Sequence, residues 1–244
     1  IWLSKHQICN LALVYSSLSQ IIMSPISPRP GVAYWLGARL YLGVTNRSNA
    51  VPLIVHRGAS FSMPEDSNFA PLPEGYEPSA EDLAAVVDAA YAEDPRKKIL
   101  GMGENDEGVI FAGMGEPLLR LETITEAAKL IRESRHGVPF RLKTNGLVPG
   151  GDNAGAAAML KEAGIKSASV FLPAADPKKF DELAKPISPE FNFGMVCDFI
   201  GQLSEAGIDV ECTTVKRPEI NVSSIRQLAL ALGATDTRVA SYHP

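Results

Sequence analysis

Cysteine is scarce in this sequence: the 244 residues include three, Cys9, Cys197 and Cys212. An odd and widely spaced set does not form the disulfide framework of a small secreted domain, and we expect a reducing, cytoplasmic environment. No two of the three stand at the spacing of a structural zinc site. The scarcity excludes a fold stabilised by disulfides or a structural zinc ion. The fold must therefore be stabilised by its hydrophobic core.

Clustered positive charge and long apolar runs are missing as well. The chain has 23 Lys and Arg residues against 28 Asp and Glu, a net charge of −5, and its basic residues are scattered apart from those at 96–98. Proteins that bind nucleic acid present a basic face, so no nucleic-acid partner is expected. The apolar stretch at residues 1–22 is interrupted by polar residues, whereas a membrane span needs about 20 predominantly apolar residues. We therefore expect no membrane partner.

The beginning of the chain carries weak structural signals. It resembles a signal peptide poorly, because its basic start is thin and no small-x-small cleavage site follows. We expect residues 1–35 to be a disordered or artefactual extension, with Met23 as the true start, and the domain to occupy residues 36–244. A short helix packed on the domain is the alternative, because terminal segments are ordered only when they are tied down.

From residue 39 onward, short apolar runs alternate with amphipathic stretches. The apolar runs predict six strands, at 39–45, 108–113, 139–145, 166–172, 208–215 and 237–242. The helical periodicity predicts helices at 79–94, 121–135, 153–164, 176–186, 191–207 and 221–233. Such alternation is typical of parallel strands joined by right-handed crossovers. We predict an α/β fold, either a partial barrel or an open doubly wound sheet, with its function in the loops after the strands.

The segment from residue 47 to residue 78 is too long for a simple connection. It contains five prolines, Pro52, Pro64, Pro71, Pro73 and Pro78. Loops longer than about 12–15 residues are usually functional or disordered. We expect the prolines to hold this segment extended across the mouth of the barrel, as a lid or clamp.

The stretch "GMGEP" follows the second predicted strand directly. Gly113 and Gly115 allow the backbone to approach a ligand closely, and Glu116 adds a carboxylate that could take an ammonium group. A plain glycine turn before a helix is an equally weighted alternative. The similar box at 101–105 precedes its strand, and we interpret it as a turn.

The stretch "KTNG" ends the third predicted strand. Asn145 and Gly146 both tolerate positive φ and predict a turn. Lys143 could face the barrel interior and act as a Schiff-base nucleophile, although a solvated lysine, or one paired with an acid, is favoured. We expect Cys212 to pack in the core and His243 to lie at the surface.

The order of these signals resembles the radical SAM proteins, and among them most the group linked to TatD-type nucleases. The resemblance rests on T-N-R-x after the first strand, "GMGEP" after the second and "KTNG" after the third, with counterparts also at 167–186, 207–215 and 239–244. It covers residues 36–244 and implies a partial (β/α)6 TIM-like barrel of parallel strands. It also implies that S-adenosylmethionine is bound by a set of seven residues, of which the glycine box takes the methionine amino end: Gly113, Met114, Gly115, Glu116, Pro117, Thr144 and Asn145.

The same resemblance places three cysteines, spaced C-x3-C-x2-C, in the first loop, where thiolates hold a [4Fe–4S] cluster. In this sequence those positions are Ser48, Pro52 and Val55, and none can ligate iron as a thiolate. Where the family has Ser and Asn for the cofactor ribose, this chain has Phe171 and Pro173. The resemblance thus implies a cluster loop that has lost its ligands, and we expect no metal at these positions.

Three hypotheses follow for the function. The favoured one is a cluster-free pseudoenzyme that binds a small molecule, with S-adenosylmethionine as the first candidate. The second is an active radical SAM enzyme with an atypical [4Fe–4S] site, and the third is a scaffold or interaction protein, which the fold does not exclude. The sequence identifies neither the substrate nor a protein partner.

Overall fold

The computed structural model describes residues 29–92 and 108–244. Within these residues, seven strands form one sheet in chain order: β1 Ala33–Leu36, β2 Arg39–Gly43, β3 Val109–Ala112, β4 Phe140–Thr144, β5 Ile165–Phe171, β6 Asp209–Lys216 and β7 Asp236–Ser241. Strand β1 pairs antiparallel with β2, and every following pair is parallel. The predicted α/β partial barrel with six parallel strands is confirmed, with one antiparallel strand added at its edge.

The hairpin of β1 and β2 is not predicted from the sequence, whose pattern indicates no strand before residue 39. The two strands are joined by a tight turn in which Gly37 has φ of +63°. Such a conformation is easily adopted by glycine and suits a two-residue hairpin. Tyr34 on β1 is buried and stacks on Tyr41 of β2, with 5.2 Å between ring centroids. The expected domain start at residue 36 therefore falls inside a packed hairpin.

Some expectations concern residues outside the described ranges. These are the disordered or artefactual extension as far as residue 28, with Met23 as the true start, the basic cluster at 96–98 and the turn at 101–105.

Six α-helices lie between the strands of the described residues: α1 Ala80–Ala92, α2 Leu121–Ser134, α3 Asn153–Glu162, α4 Pro177–Ala184, α5 Phe193–Glu205 and α6 Val222–Ala231. Each begins within two residues of its predicted start, and α2 to α6 also end within two residues of their predicted ends, whereas the predicted end of α1 at residue 94 lies outside the described residues. Ser79 and Asp82 form a capping box at α1, in which each side chain accepts a hydrogen bond from the backbone N–H of the other. In the described part of the chain, no helix combines the length and the apolar character needed to cross a membrane.

The two faces of the sheet differ in chemistry because side chains alternate along each strand. The outer face is apolar and packs against the helices, with buried residues such as Leu42, Phe111 and Val170. Cys212 belongs to this core and is fully buried, as expected. The inner face instead carries charged and hydroxyl side chains from β2 and from β4 to β7. It also carries an apolar cluster that includes Tyr34, Tyr41, Ile110 and Ala112.

Candidate functional site

A cavity of about 400 Å³ opens on the inner face of the sheet, at the carboxyl ends of the strands. The long segment that follows β2 contributes seven of its lining residues: Leu53, Ile54, Arg57, Phe61, Met63, Pro64 and Phe69. This is the position across the barrel mouth that the sequence predicts for the segment 47–78. A second cavity of about 170 Å³ lies toward the amino ends of the strands and shares five lining residues with the first: Arg39, Tyr41, Lys143, Ser169 and Arg238.

The glycine box after β3 forms part of the cavity wall through Gly113 and Gly115. Gly113 has φ of +123°, and a Cβ added there would lie 3.0 Å from the Cα of Gly43. A Cβ on Gly115 would lie 2.1 Å from the backbone oxygen of Arg47. Both positions therefore need glycine because the box packs directly on the end of β2 and on the chain that follows it.

Backbone hydrogen bonds join these two segments. The amide of Gly115 donates to the carbonyl of Thr45 at 3.0 Å, and the amide of Glu116 donates to the carbonyl of Arg47 at 2.8 Å. The backbone of Gly113 is hydrogen-bonded to the hydroxyl of Tyr34. Three backbone positions of the box are thus engaged within the protein.

The Glu116 side chain is turned into the protein and is 2% exposed. Its Oε1 accepts hydrogen bonds from the amide of Leu118 at 3.0 Å and from the Thr144 hydroxyl at 2.6 Å, and its Oε2 accepts from the amide of Asn145 at 2.7 Å. Burial raises the pKa of Glu116 to about 7, against the opposing effect of these hydrogen bonds. The carboxylate therefore joins the loops after β3 and β4, and its role toward a ligand's ammonium group stays a prediction.

A buried amide pair connects the loop after β4 with the loop after β2. The Nδ2 of Asn145 donates to the Oδ1 of Asn49 at 2.8 Å, and the Nδ2 of Asn49 donates to the carbonyl of Leu147 at 2.8 Å. Asn49 is fully buried, although no signal in the sequence distinguishes it from its polar neighbours. Thr144 and Asn145 thus belong to a hydrogen-bond network that joins the loops after β2, β3 and β4, and their binding of the cofactor stays a prediction.

The remaining members of the predicted set differ in exposure. Met114 is half-buried, and Pro117 is buried at the start of a 3₁₀ turn, Pro117–Arg120. Of the seven predicted residues, Gly113 and Gly115 line the cavity itself. The other five are not among its lining residues.

The three positions where the family has cysteines lie on the loop after β2. Ser48 and Pro52 are half-buried, and the Val55 side chain is 56% exposed. The two described cysteines lie elsewhere, Cys197 half-buried on α5 and Cys212 buried on β6. The residues of this loop do not fit a cluster held by thiolates.

His56, next to the last of these positions, packs inward and is 4% exposed. Its ring lies 4.5 Å from that of Phe171, centroid to centroid, and its carbonyl accepts a hydrogen bond from Arg217 at 3.0 Å. Burial lowers the pKa of His56 to about 4, and the charge of Arg217 acts in the same direction. The imidazole is therefore a neutral packing group at neutral pH. In residues 29–92 and 108–244, no group of three or more His, Cys, Asp or Glu side chains could hold a metal ion.

Lys143 and His243 are both exposed to solvent but lie in different parts of the barrel. Lys143 projects into the barrel interior and lines both cavities. Desolvation by the surrounding protein lowers its pKa, and Arg238 and Arg57 lower it further. His243 is exposed at the mouth, with its ring 5.5 Å from that of Phe61.

The family model of the Radical SAM superfamily matches residues 65–232 of this chain. Among solved structures, the chain is similar to SuiB of Streptococcus suis bound to S-adenosylmethionine, with a TM-score of 0.57 and 14% identity over 85% of this chain and 40% of that one. It is similar to anSMEcpe with bound AdoMet, with a TM-score of 0.56 and 14% identity over 83% of this chain and 51% of that one. It is also similar to HydG, a maturase of the [FeFe]-hydrogenase, with a TM-score of 0.53 and 14% identity over 84% of this chain and 42% of that one.

At these identities the structural likeness shows the fold. The chain spans between 40% and 51% of the length of the three proteins. No curated protein sequence matches it significantly.

Proposed function

The chain belongs to the radical SAM superfamily, and from this premise we propose that it binds S-adenosylmethionine at the carboxyl edge of its barrel without assembling an iron–sulfur cluster. We further propose that it comes from the group linked to TatD-type nucleases, on the motifs described above. On this proposal the protein is a pseudoenzyme with respect to radical chemistry.

The glycine box carries the proposal. Gly113 and Gly115 line the cavity, and the amides of Gly115 and Glu116 are already engaged with the segment after β2. A ligand's ammonium group at this wall would meet backbone carbonyl oxygens, which accept its hydrogen bonds. SuiB and anSMEcpe were solved with the same cofactor bound. Bound here, it would supply the cavity with a sulfonium centre that carries activated methyl and adenosyl groups.

The loop after β2 supports the cluster-free part of the proposal. Ser48, Pro52 and Val55 offer no thiolate, and thiolates are what hold such clusters. The loop is instead held by protein contacts, with Asn49 hydrogen-bonded to Asn145 and His56 packed on Phe171. These side-chain contacts hold the loop in place and so support a cluster-free site.

Calorimetric titration of iron-free protein with S-adenosylmethionine tests the proposal. We expect binding in the micromolar range, weakened at least about tenfold by Gly115→Ala, because the new Cβ pushes the box away from Arg47. The matched control is Gly201→Ala on α5, where an added Cβ meets nothing within 4 Å. Thermal unfolding of both variants shows that the fold is retained. No binding by the wild-type protein would overturn the proposal.

Anaerobic reconstitution with iron and sulfide separates the proposal from an active radical SAM enzyme. We expect the wild-type protein to retain little iron, whereas a variant combining Ser48→Cys, Pro52→Cys and Val55→Cys serves as a positive control for the loop geometry. About four iron and four sulfide ions per wild-type chain would contradict the cluster-free assignment and favour an atypical [4Fe–4S] site.

A further inference from the structure

The charge of the larger cavity is opposite to that of the chain. The whole sequence has a net charge of −5, yet the described residues that line this cavity include Arg39, Arg57, Lys143 and Arg238 and no Asp or Glu. Walls of one charge sign and low dielectric focus the electrostatic potential inside a cleft and raise the local concentration of ions of opposite sign. The cavity is therefore electrostatically suited to an anion.

Three of these cations act on one another. Desolvation lowers the pKa of Lys143, the charges of Arg238 and Arg57 lower it further, and Glu211 raises it in part. Desolvation and then the charge of Arg238 lower the pKa of Arg57. Arg57 is held in place, because its Nε donates to the carbonyl of Ser241 at 2.9 Å and its guanidinium lies 4.2 Å from the Phe61 ring centroid. An anion placed between these groups would offset a repulsion that is built into the site.

The floor of the barrel has a different charge pattern. Two rows cross β4, β5 and β6 in register, each with a basic residue, a serine and an acidic residue: Arg141, Ser167 and Asp209 in one, Lys143, Ser169 and Glu211 in the other. The hydroxyl of Ser169 donates to Glu211 at 3.2 Å. Asp209 and Glu211 line the smaller cavity together with the basic residues Arg39, Arg141, Lys143 and Arg238, so its charged lining is mixed in sign. Of the two cavities, the larger one therefore has charged lining residues of one sign among the described residues, which favours it as the position of a ligand's anionic group.

Apolar and aromatic side chains form the rest of the upper wall. They include Tyr34, Tyr41, Phe61, Phe69 and Phe171. A volume of about 400 Å³ is within the range of small-molecule pockets. Aromatic walls beside a cationic group match a ligand that has an apolar body and one anionic group.

We propose that the cavity binds an organic anion, a carboxylate or a phosphate ester, whose charged group lies between Arg57, Lys143 and Arg238. Its apolar or aromatic body packs against Phe61 and Phe171. This assignment rests on the proposed function, since it names the substrate class of the same cavity.

Three probes of similar size test the proposal on the full chain by calorimetry: phenyl phosphate, benzoate and benzyl alcohol. We expect the two anions to bind at least about tenfold more tightly than the neutral alcohol. Tighter binding of phenyl phosphate identifies the anionic group as a phosphate ester, and tighter binding of benzoate identifies it as a carboxylate. Both results support the proposed site. Equal affinity for benzyl alcohol would overturn it.

Variants locate the charged contact. Lys143→Met and Arg238→Met are each expected to weaken binding of the preferred anion at least about tenfold, whereas Lys143→Arg keeps the charge and retains binding. Lys129→Met, on the exposed face of α2, is the matched control and should bind as the wild type does. Thermal unfolding confirms that each variant is folded. Unchanged anion binding in both Lys143→Met and Arg238→Met would contradict the proposal.

Parallel titrations with S-adenosylmethionine distinguish the two proposals. Anion binding that persists without S-adenosylmethionine binding would overturn the proposed function alone. S-adenosylmethionine binding that persists while no anionic probe binds would overturn the substrate class alone.

Discussion

The Glu116 carboxylate lies between two loops with its pKa raised to about 7, from an ordinary value of 4.5. Below pH 4.5 the group is protonated in both the folded and the unfolded chain. Between pH 4.5 and pH 7 the folded chain binds the proton and the unfolded chain does not, so this group's contribution to stability falls as the pH rises. Above pH 7 both forms are ionised and the contribution is constant.

We therefore predict that the Glu116 side chain lowers the free energy of unfolding of the wild-type protein by on the order of 3 kcal/mol between pH 4.5 and pH 7. The Glu116→Gln variant should lack this decrease. Urea unfolding of the wild-type protein and the variant at several pH values measures the difference. Glu133→Gln, at an exposed position on α2, is the control and should follow the wild-type profile. Parallel profiles of wild type and Glu116→Gln would contradict the prediction.

His56 acts in the opposite direction over part of the same range, so the wild-type profile alone does not isolate Glu116. Its pKa is lowered from 6.5 to about 4, and its contribution to stability is complete above pH 6.5 and is lost as the pH falls toward 4. The difference between wild type and Glu116→Gln cancels the His56 contribution, because both proteins contain that residue.

At the scale of elements, Asn49 is the connection between the loops after β2 and β4. Asn49→Ala leaves the Nδ2 of Asn145 and the carbonyl of Leu147 without the partners that Asn49 supplies. We expect a loss of about 2 kcal/mol in the free energy of unfolding, measured by urea denaturation. The control is Ser48→Ala at the neighbouring, half-buried position, which should change the free energy of unfolding by less than about 0.5 kcal/mol. Equal effects of the two substitutions would show that the buried amide pair is energetically unimportant.

The sequence predicts elements well where their signals are local. The capping box of Ser79 and Asp82 spans four residues, and α1 begins where it predicts. Strand β1 is missed because its run continues into β2, and a single glycine turn at Gly37 separates the two. A short apolar stretch does not by itself reveal a hairpin with so brief a turn.

The sequence predicts the loop that carries the candidate site but not the hydrogen-bond network that holds the loop in place. The glycine box and its place after a strand follow from local sequence. The partners of Glu116 and Asn49 do not, because Thr144 is 28 residues from Glu116 and Asn145 is 96 residues from Asn49. Which polar residues become buried depends on the pairing of strands that are distant in sequence.

At the scale of the whole molecule, the described thiols are protected by the fold. Burial raises the pKa of Cys212 to about 12 and that of Cys197 to about 11, and thiols react as thiolates. In a Cys9→Ser background, we expect Cys212 to react with Ellman's reagent at the rate of global unfolding in urea. The half-buried Cys197 should react sooner through local opening.

The comparison of Cys9→Ser with Cys9→Ser/Cys197→Ser assigns the slow phase to Cys212. Rapid modification of Cys212 in the absence of urea would show that the outer layer of helices opens independently of the sheet.

The network around Glu116 has a consequence for the kinetics of folding. Its hydrogen bonds link three successive βα units, with contacts that close loops of 28, 29 and 96 residues. Closing long loops costs chain entropy before the contacts form, so such contacts slow folding more than helix formation does. The wall of the cavity is therefore complete only after β2, β3 and β4 have assembled. A chain stalled after its helices have formed would have most of its secondary structure but no binding site.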